Sequence, residues 1–454
     1  MIWCAQLPAA SATALATPAQ LGPVESTVVP LATPQFRRYG LADGLPGAMV
    51  YAVVQDRQGA MWFGTTGGIG RYDGVGFTVF RHDVADAHSL PNNQIYTLYV
   101  DRAGALWAGG VSGGLSRYQP ASGGFTSWQH DSADPASLSD DEVWSIAQTP
   151  DGQLWVATQG GLDRMRADGR GFEHVVDTTR PSDQPPQGFG TTRALLAEDN
   201  GRLWIGSEQG IFLRRADGRL QRVPIDPSFH GDPSKIWRIE GGGDEVRVST
   251  SSGVLRIGPD GVARPAWVTG VRAMSSVRDA DGRLWVGTQK GAWLDGGRGS
   301  DGGGHMFTGH ALLPGGLPAD AIWQITRDRE GGLWFAVADG GAAYLGPGWD
   351  GFSRMTHVPD DPTSLATTAA EAVAVSRDNQ LWVGEVGGVD KLDPATGAVR
   401  HVVSHLPDAV ISMVEDAQHR LWVAAQSALY VVEHGELQAL DTESAGITRP
   451  NRLV

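Results

Sequence analysis

The sequence predicts an all-β fold: a β-propeller of seven four-stranded blades closed as one ring, followed by the first blades of a second propeller. Three observations predict it. A tryptophan recurs at Trp62, Trp107, Trp155, Trp204, Trp285, Trp334, Trp382 and Trp422, about 40 to 50 residues apart save for one double gap between Trp204 and Trp285. Around each lie four short runs rich in Val, Ile, Tyr, Phe and Trp, separated by Gly and Asp. Glycine accounts for 62 of 454 residues, enough for many tight turns, and segments of helical period are hard to find. The period alone fits paired helices or propeller blades; four strand-like runs per unit select blades.

One unit read in order shows why each element forms. VYAVV (50–54) is apolar and β-branched, suited to an inner strand covered on both faces. DRQG (56–59) is a turn whose Gly59 supplies a backbone angle other residues resist, as do Gly104, Gly152, Gly201, Gly282 and Gly331 in their units. MWFGT (61–65) carries the motif Trp, large enough to fill the space between blades that widen outward from the axis. The glycine pair 67–68 makes the next hairpin, IGRYD (69–73) the third strand and FTVF (77–80) the fourth. A ninth unit, EVRVSTSSGVLRI (245–257), places Arg247 where Trp is expected. FRRYG (36–40) matches a fourth strand and is expected to complete the last blade of the first ring, closing it without free strand edges. FSRMTHV (352–358) is expected to open a second ring in the same way. The expected organisation is residues 1–34 as signal-peptide remnant and linker, 35–350 as the seven-bladed propeller, and 351–454 as two repeats of an incomplete second one.

Composition narrows the function. The balance of 36 basic to 51 acidic residues, net −15, disfavours a phosphate backbone or an anionic membrane surface, so no nucleic acid is expected as partner. The single cysteine, Cys4, excludes an internal disulfide. The start MIWCAQLPAASATALATPA, with its Ala12-Thr13-Ala14 stretch, reads as the last part of a secretory signal peptide. No run of 18 apolar residues follows it.

Several strings carry a family resemblance: YGLADGLPGAMVYAVVQDRQGAMWFGTTGGIGRYDG (39–74), LPNNQIYTLYVDRAGALWAGGVSGGLSRY (90–118) and LSDDEVWSIAQTPDGQLWVATQGGLDRM (138–165). They are preceded by acidic lead-ins such as HDSADPASL (130–138), matched later by HVPDDPTSL (357–365). The chain from about residue 36 resembles the two-component regulator propeller repeat family. That resemblance implies a bacterial periplasmic sensor region binding a small molecule or oligosaccharide, without catalysis in this chain. The output, a histidine kinase or a diguanylate cyclase, would lie beyond a downstream membrane helix. That helix would be the only link to the membrane, and the full receptor could be a homodimer. Family members often carry two seven-bladed propellers and a β-sandwich. Nine units ending at ITRPNRLV (447–454) read instead as the N-terminal piece of a longer receptor. A lyase-type propeller enzyme and a protein-binding scaffold propeller are the alternatives.

Candidate chemistry is sparse. The Asp-x-x-Gly turns resemble the Asp box of sialidase-type propellers, but the Asp-to-Gly spacing is one residue too long and the leading Ser is missing. They read as blade corners. The 12 His are scattered, among them His82, His130 and His357; His305 and His310 sit in a Gly-rich stretch that reads as a flexible insertion rather than a metal loop. No cofactor, metal site or catalytic set is expected. One position varies informatively. Eleven residues before the motif Trp, near the start of the inner strand, stand Tyr51, Tyr96, Trp144, Arg193 and Trp323, with Met274 in the sixth unit and Trp237 one register away. These six aromatic or Arg residues are expected to rim one mouth of the channel as a stacking surface for a planar ligand. The alternative is packing between blades. Asp140, Asp141 and Glu142 are expected on the same side, as solvated turns.

Overall fold

The structure is a computed structural model. It describes residues 34–179, 187–296, 304–309, 315–351, 355, 357, 362, 364–394, 397–433 and 436–440. The expectations for the signal-peptide remnant, for His310 and for residues 447–454 lie outside the described residues. So does most of 352–358, of which Met355 and His357 are described and are not in strands.

The strand-rich runs form nine four-stranded antiparallel sheets, and no α-helix occurs among the described residues. The architecture is that of a β-propeller. In the first sheet Val50–Gln55, Met61–Thr65, Gly68–Tyr72 and Phe77–Phe80 pair in chain order. Residues 34–349 make one compact unit of seven such sheets; the sheets of Ala370–Val403 and Val410–Ala439 belong to a second unit.

Within the first unit the innermost strands are Val50–Gln55, Ile95–Val100, Val143–Gln148, Thr192–Ala197, Ile236–Gly242, Ala273–Arg278 and Ile322–Arg327. Each contacts the next, and Ile322–Arg327 contacts Val50–Gln55. Side chains stitch these neighbours: Ser145 Oγ accepts from Leu195 N at 3.2 Å, and Ser275 Oγ from Ile325 N at 2.8 Å. Gln324 Oε1 accepts from Val53 N at 3.1 Å while its Nε2 donates to Val53 O at 3.3 Å.

The N-terminal segment pairs as its sequence suggests. Arg37–Tyr39 is the outer strand of the seventh sheet, with Arg37 opposite Tyr344 and Tyr39 opposite Ala342. Tyr39 is buried against Trp334 of the seventh sheet and Tyr72 of the first, with ring centroids 5.1 and 5.2 Å away. One short strand therefore anchors the two sheets that lie furthest apart in the chain.

The motif tryptophans fill the gaps between sheets. Trp62 packs with Leu90, Ile95 and Leu106 of the second unit of sequence, and Trp155 with Leu195, Leu203 and Phe212 of the fourth. Arg247, standing in for Trp, is also buried and bridges outward: its Nε donates to Ser276 Oγ on the sixth sheet at 3.0 Å, and its Nη1 meets Glu245 at 2.8 Å.

The turn aspartate has a larger role than corner chemistry suggests. Asp56 Oδ1 accepts the backbone N–H of Gln58 and Ala60, at 2.9 and 3.0 Å, while Oδ2 accepts the Trp62 indole N–H at 2.7 Å. Asp101, Asp279, Asp328 and Asp416 hold Trp107, Trp285, Trp334 and Trp422 in the same way. One buried carboxylate thus closes the hairpin and fixes the rotamer of the inter-sheet wedge, six residues on. The turn glycines take φ of 82 to 94°, as expected, and at the equivalent places of the second unit Asn379 and His419 do so with φ of 61 and 63°.

The Gly-rich stretch needs a correction. Gly304–Phe307 is not an insertion but the fourth strand of the sixth sheet, pairing with Ala292–Asp295. His305 lies on that strand with its ring 4.5 Å from Phe307, and burial lowers its pKa. The backbone pairing available to the strand outweighed its flexible composition.

Candidate ligand site at the mouth of the channel

All seven innermost strands of the first unit carry the same irregularity. Register breaks between Val50 and Ala52, Ile95 and Thr97, Val143 and Ser145, Thr192 and Ala194, Ile236 and Arg238, Ala273 and Ser275, and Ile322 and Gln324. The residue passed over is Tyr51, Tyr96, Trp144, Arg193, Trp237, Met274 or Trp323. A bulge leaves its residue out of the ladder and re-aims the side chain. Seven bulges at one level aim seven side chains at one place.

The result is a cavity of about 200 Å³ lined by those seven residues and Arg238. They touch each other around the opening, and Trp323 also packs against the core shared by the seventh and first sheets. Tyr51 meets Trp323 and Tyr96 edge-on, with centroids 5.3 and 4.7 Å apart. Tyr96 stacks on Trp144 at 5.1 Å. The Arg193 guanidinium lies between two indoles, 5.4 Å from Trp144 and 5.7 Å from Trp237. Such cation–π contacts hold the charge in place without consuming its N–H donors.

Trp237 is in register after all. Counting from the motif position places it one residue off, because the hairpin of that sheet, Gly242 opposite Glu245, is one residue shorter than the others. Seen from the bulge it is equivalent to the rest.

The lining is rich in donors. Trp144 Nε1, Arg193 Nε, Trp237 Nε1 and Trp323 Nε1 are buried and have no acceptor among the described residues. A buried donor left unpaired costs about 1–3 kcal/mol, and these four belong to residues that line one cavity, although Trp204 and Trp349 carry unpartnered indole N–H groups away from it. Burial raises the pKa of the Tyr51 and Tyr96 hydroxyls, with Tyr96 adding to the effect on Tyr51 and Glu142 to that on Tyr96. They are therefore protonated and able to donate at neutral pH.

Arg238 is the lining residue that reading from the Trp position missed. It directly follows a bulge residue, and it lines both the aromatic cavity and a larger one of about 890 Å³ between the same strands, with Glu240, Gln324 and Arg327. Its signal was available: a strand Ile236–Gly242 that places Trp, Arg and Glu among its apolar residues. Burial lowers the Arg238 pKa and raises that of Glu240, each charge partly restoring the other.

The acidic residues Asp140, Asp141 and Glu142 are half-buried rather than solvated. Asp140 Oδ1 accepts from Glu142 N at 2.8 Å and Asp141 Oδ1 from His130 N at 2.7 Å. Glu142 has a raised pKa, from burial first and Asp140 second, with Arg193 opposing. Three of the histidines are lead-in clasps: the Nδ1 atoms of His82, His130 and His357 each lie 2.7 Å from the carbonyl oxygens of Leu90, Leu138 and Leu365.

Comparison with known proteins agrees with this architecture. The two component regulator propeller model matches residues 44–67, 89–112 and 137–160. No curated protein matches. Among solved structures, the extracellular domain of a proposed hybrid two component system from B. thetaiotaomicron is similar over 90% of this chain and 54% of its own, at 19% identity and a TM-score of 0.71. The extracellular domain of a proposed one component system from the same organism is similar over 89% of this chain and 53% of its own, at 17% identity and a TM-score of 0.57. This chain spans about half the length of those two structures. A virginiamycin B lyase from Staphylococcus aureus is similar over 69% of this chain and 99% of its own, at 15% identity and 0.51, a likeness of fold alone. Three stretches of this chain, all in its first three sheets, are thus matched as two component regulator propeller repeats.

Proposed function

We propose that the chain is the ligand-binding sensor region of a bacterial two-component or diguanylate cyclase receptor, exposed in the periplasm and without catalysis of its own. Its first unit is read as a seven-bladed propeller and its second as the first two blades of another. One observation carries the reading: seven bulge residues and Arg238 converge on a single cavity with stacking faces and unpartnered donors. Such a lining suits a small planar or sugar-like molecule better than a protein surface. The family match and the extracellular neighbours support the sensor class and the location.

The test is a thermal-shift screen of the chain against oligosaccharide and metabolite libraries. A hit whose shift disappears in Trp144→Ala and Trp323→Ala supports the site. A hit that survives both substitutions places binding elsewhere.

A further inference from the structure

The chemistry of the cavity says more about its occupant than that it is flat. Taking the proposed ligand site as given, its polar groups divide unevenly. Trp144, Trp237 and Trp323 can only donate through N–H, as can the guanidinium of Arg193, and Arg238, whose charge also interacts with Glu240, is a second guanidinium residue of the lining. No carboxylate or amide side chain lines the cavity to balance them; its side-chain acceptors are the hydroxyls of Tyr51 and Tyr96, which also donate, and the weak thioether of Met274. Glu142 and Asp140 lie near enough to act on Arg193 and Tyr96, yet neither lines the cavity. Among the described residues Arg193 forms no hydrogen bond or ion pair and meets two indole faces, so its fork stays open to a bidentate partner. A neutral polyol brings as many donors as acceptors and would leave some of these N–H groups unmet, whereas a carboxylate brings acceptors alone. The volume, about 200 Å³, is six or seven times a water's share of about 30 Å³, room for one substituted six-membered ring.

We infer that the aromatic mouth recognises a ring-bearing carboxylate, the ring stacked among Tyr96, Trp144 and Trp323 and the carboxylate held by Arg193 with help from Arg238. A sugar acid and an aromatic acid share that chemistry. Two matched pairs separate them: glucuronate against glucose, and benzoate against benzyl alcohol. Each is titrated into the 454-residue chain, with binding followed by calorimetry and tryptophan fluorescence. The expected result is that one acid binds about tenfold or more tighter than its neutral partner, the size expected for hydrogen bonds to a charged group. Arg193→Gln should abolish that preference and Arg193→Lys retain part of it, with unchanged melting temperatures showing that both variants fold. Binding of glucose or benzyl alcohol as tight as its acid, lost in Trp144→Ala, would overturn the carboxylate inference while leaving the ligand site intact. Binding by none of the four, or an acid preference that survives Arg193→Gln, would also overturn it.

Discussion

The two units of this chain run the same repeat and use it differently. In the first, the seven bulge positions hold Tyr51, Tyr96, Trp144, Arg193, Trp237, Met274 and Trp323, gathered on one cavity. In the second, the same register breaks fall at Glu371 and Ile411. The bulge is therefore architecture and forms whatever side chain occupies it. Aromatic and Arg side chains are not needed to build it, and their concentration in one unit calls for another reason. Burial differs as well. Two residues beyond the bulge, Val53, Ile146, Ile239 and Ile325 are at most 5% exposed and Met413 of the second unit is 7% exposed, but Val373 is 63% exposed. In the first unit every innermost strand contacts two others; among the described residues Ala370–Val375 contacts only Val410–Glu415 in that way. That residue is buried where another sheet of the same unit precedes it, as expected for repeats that depend on one another: Met413, packed against Trp382 of the preceding sheet, is in a core cluster.

The largest effect that would sharpen the contrast is at that position. Ile325→Ala should lower stability by about 2–5 kcal/mol, because it opens a cavity between the sixth and seventh sheets. Val373→Ala should stay within about 0.5 kcal/mol. Hydrogen exchange followed on peptides from each unit reads both, and equal costs would break the comparison. Next comes the carboxylate clasp. Asp101→Ala strands the Trp107 indole N–H and the Ala103 and Ala105 amides, and should cost the first unit about 2–3 kcal/mol. Thr149→Val, where a hydroxyl makes a longer 3.1 Å bond to Trp155, should cost about 1 kcal/mol in denaturant melts.

The second unit should instead show its own acid sensitivity. Burial of Glu415 opposes its ionisation, but hydrogen bonds from Ser376, Trp382 and His419 outweigh it and hold the carboxyl at about 2. A folded-state pKa below the unfolded one means stability that is full above the unfolded value of about 4.3 and is lost as pH falls toward 2. Exchange protection of Ala370–Ala439 should decline across that window, and Glu415→Gln should flatten the decline. A pH dependence unchanged in Glu415→Gln would show that this carboxylate does not link the two sheets.

The fold was legible because its signals are local and repeated: a Trp in a strand, a Gly that needs positive φ, an Asp in the turn. The candidate site was legible in outline for the same reason, since one offset from the motif Trp selects nearly all its residues. What that offset could not supply is geometric. A bulge adds a residue to one strand without changing composition, so its uniformity, and Trp237's place within it, emerges only from pairing. Arg238 was passed over because strand alternation assigns it to the opposite side from its neighbour, whereas the bulge turns both toward the channel. The Asp-to-Trp hydrogen bond was hidden by distance in sequence: six residues separate two groups that a hairpin brings together.

The smallest predicted effect tests whether the shared turn is equally well made in both units. Gly152 has φ of 85°, and a Cβ there would meet nothing within 4 Å, so Gly152→Ala isolates the backbone cost of a side chain in left-handed geometry. That cost should be about 1 kcal/mol. Asn379 already occupies the same turn at φ of 61°, and asparagine tolerates that region better than other side chains. Asn379→Gly relieves a small strain and at the same time frees the unfolded chain, two effects of opposite sign. It should therefore shift stability by only a few tenths of a kcal/mol, read as a near-unchanged melting midpoint of the second unit. A gain near 1 kcal/mol would mean that the second unit's turns are strained as well as exposed. The difference between the units would then lie in local sequence as much as in missing neighbours.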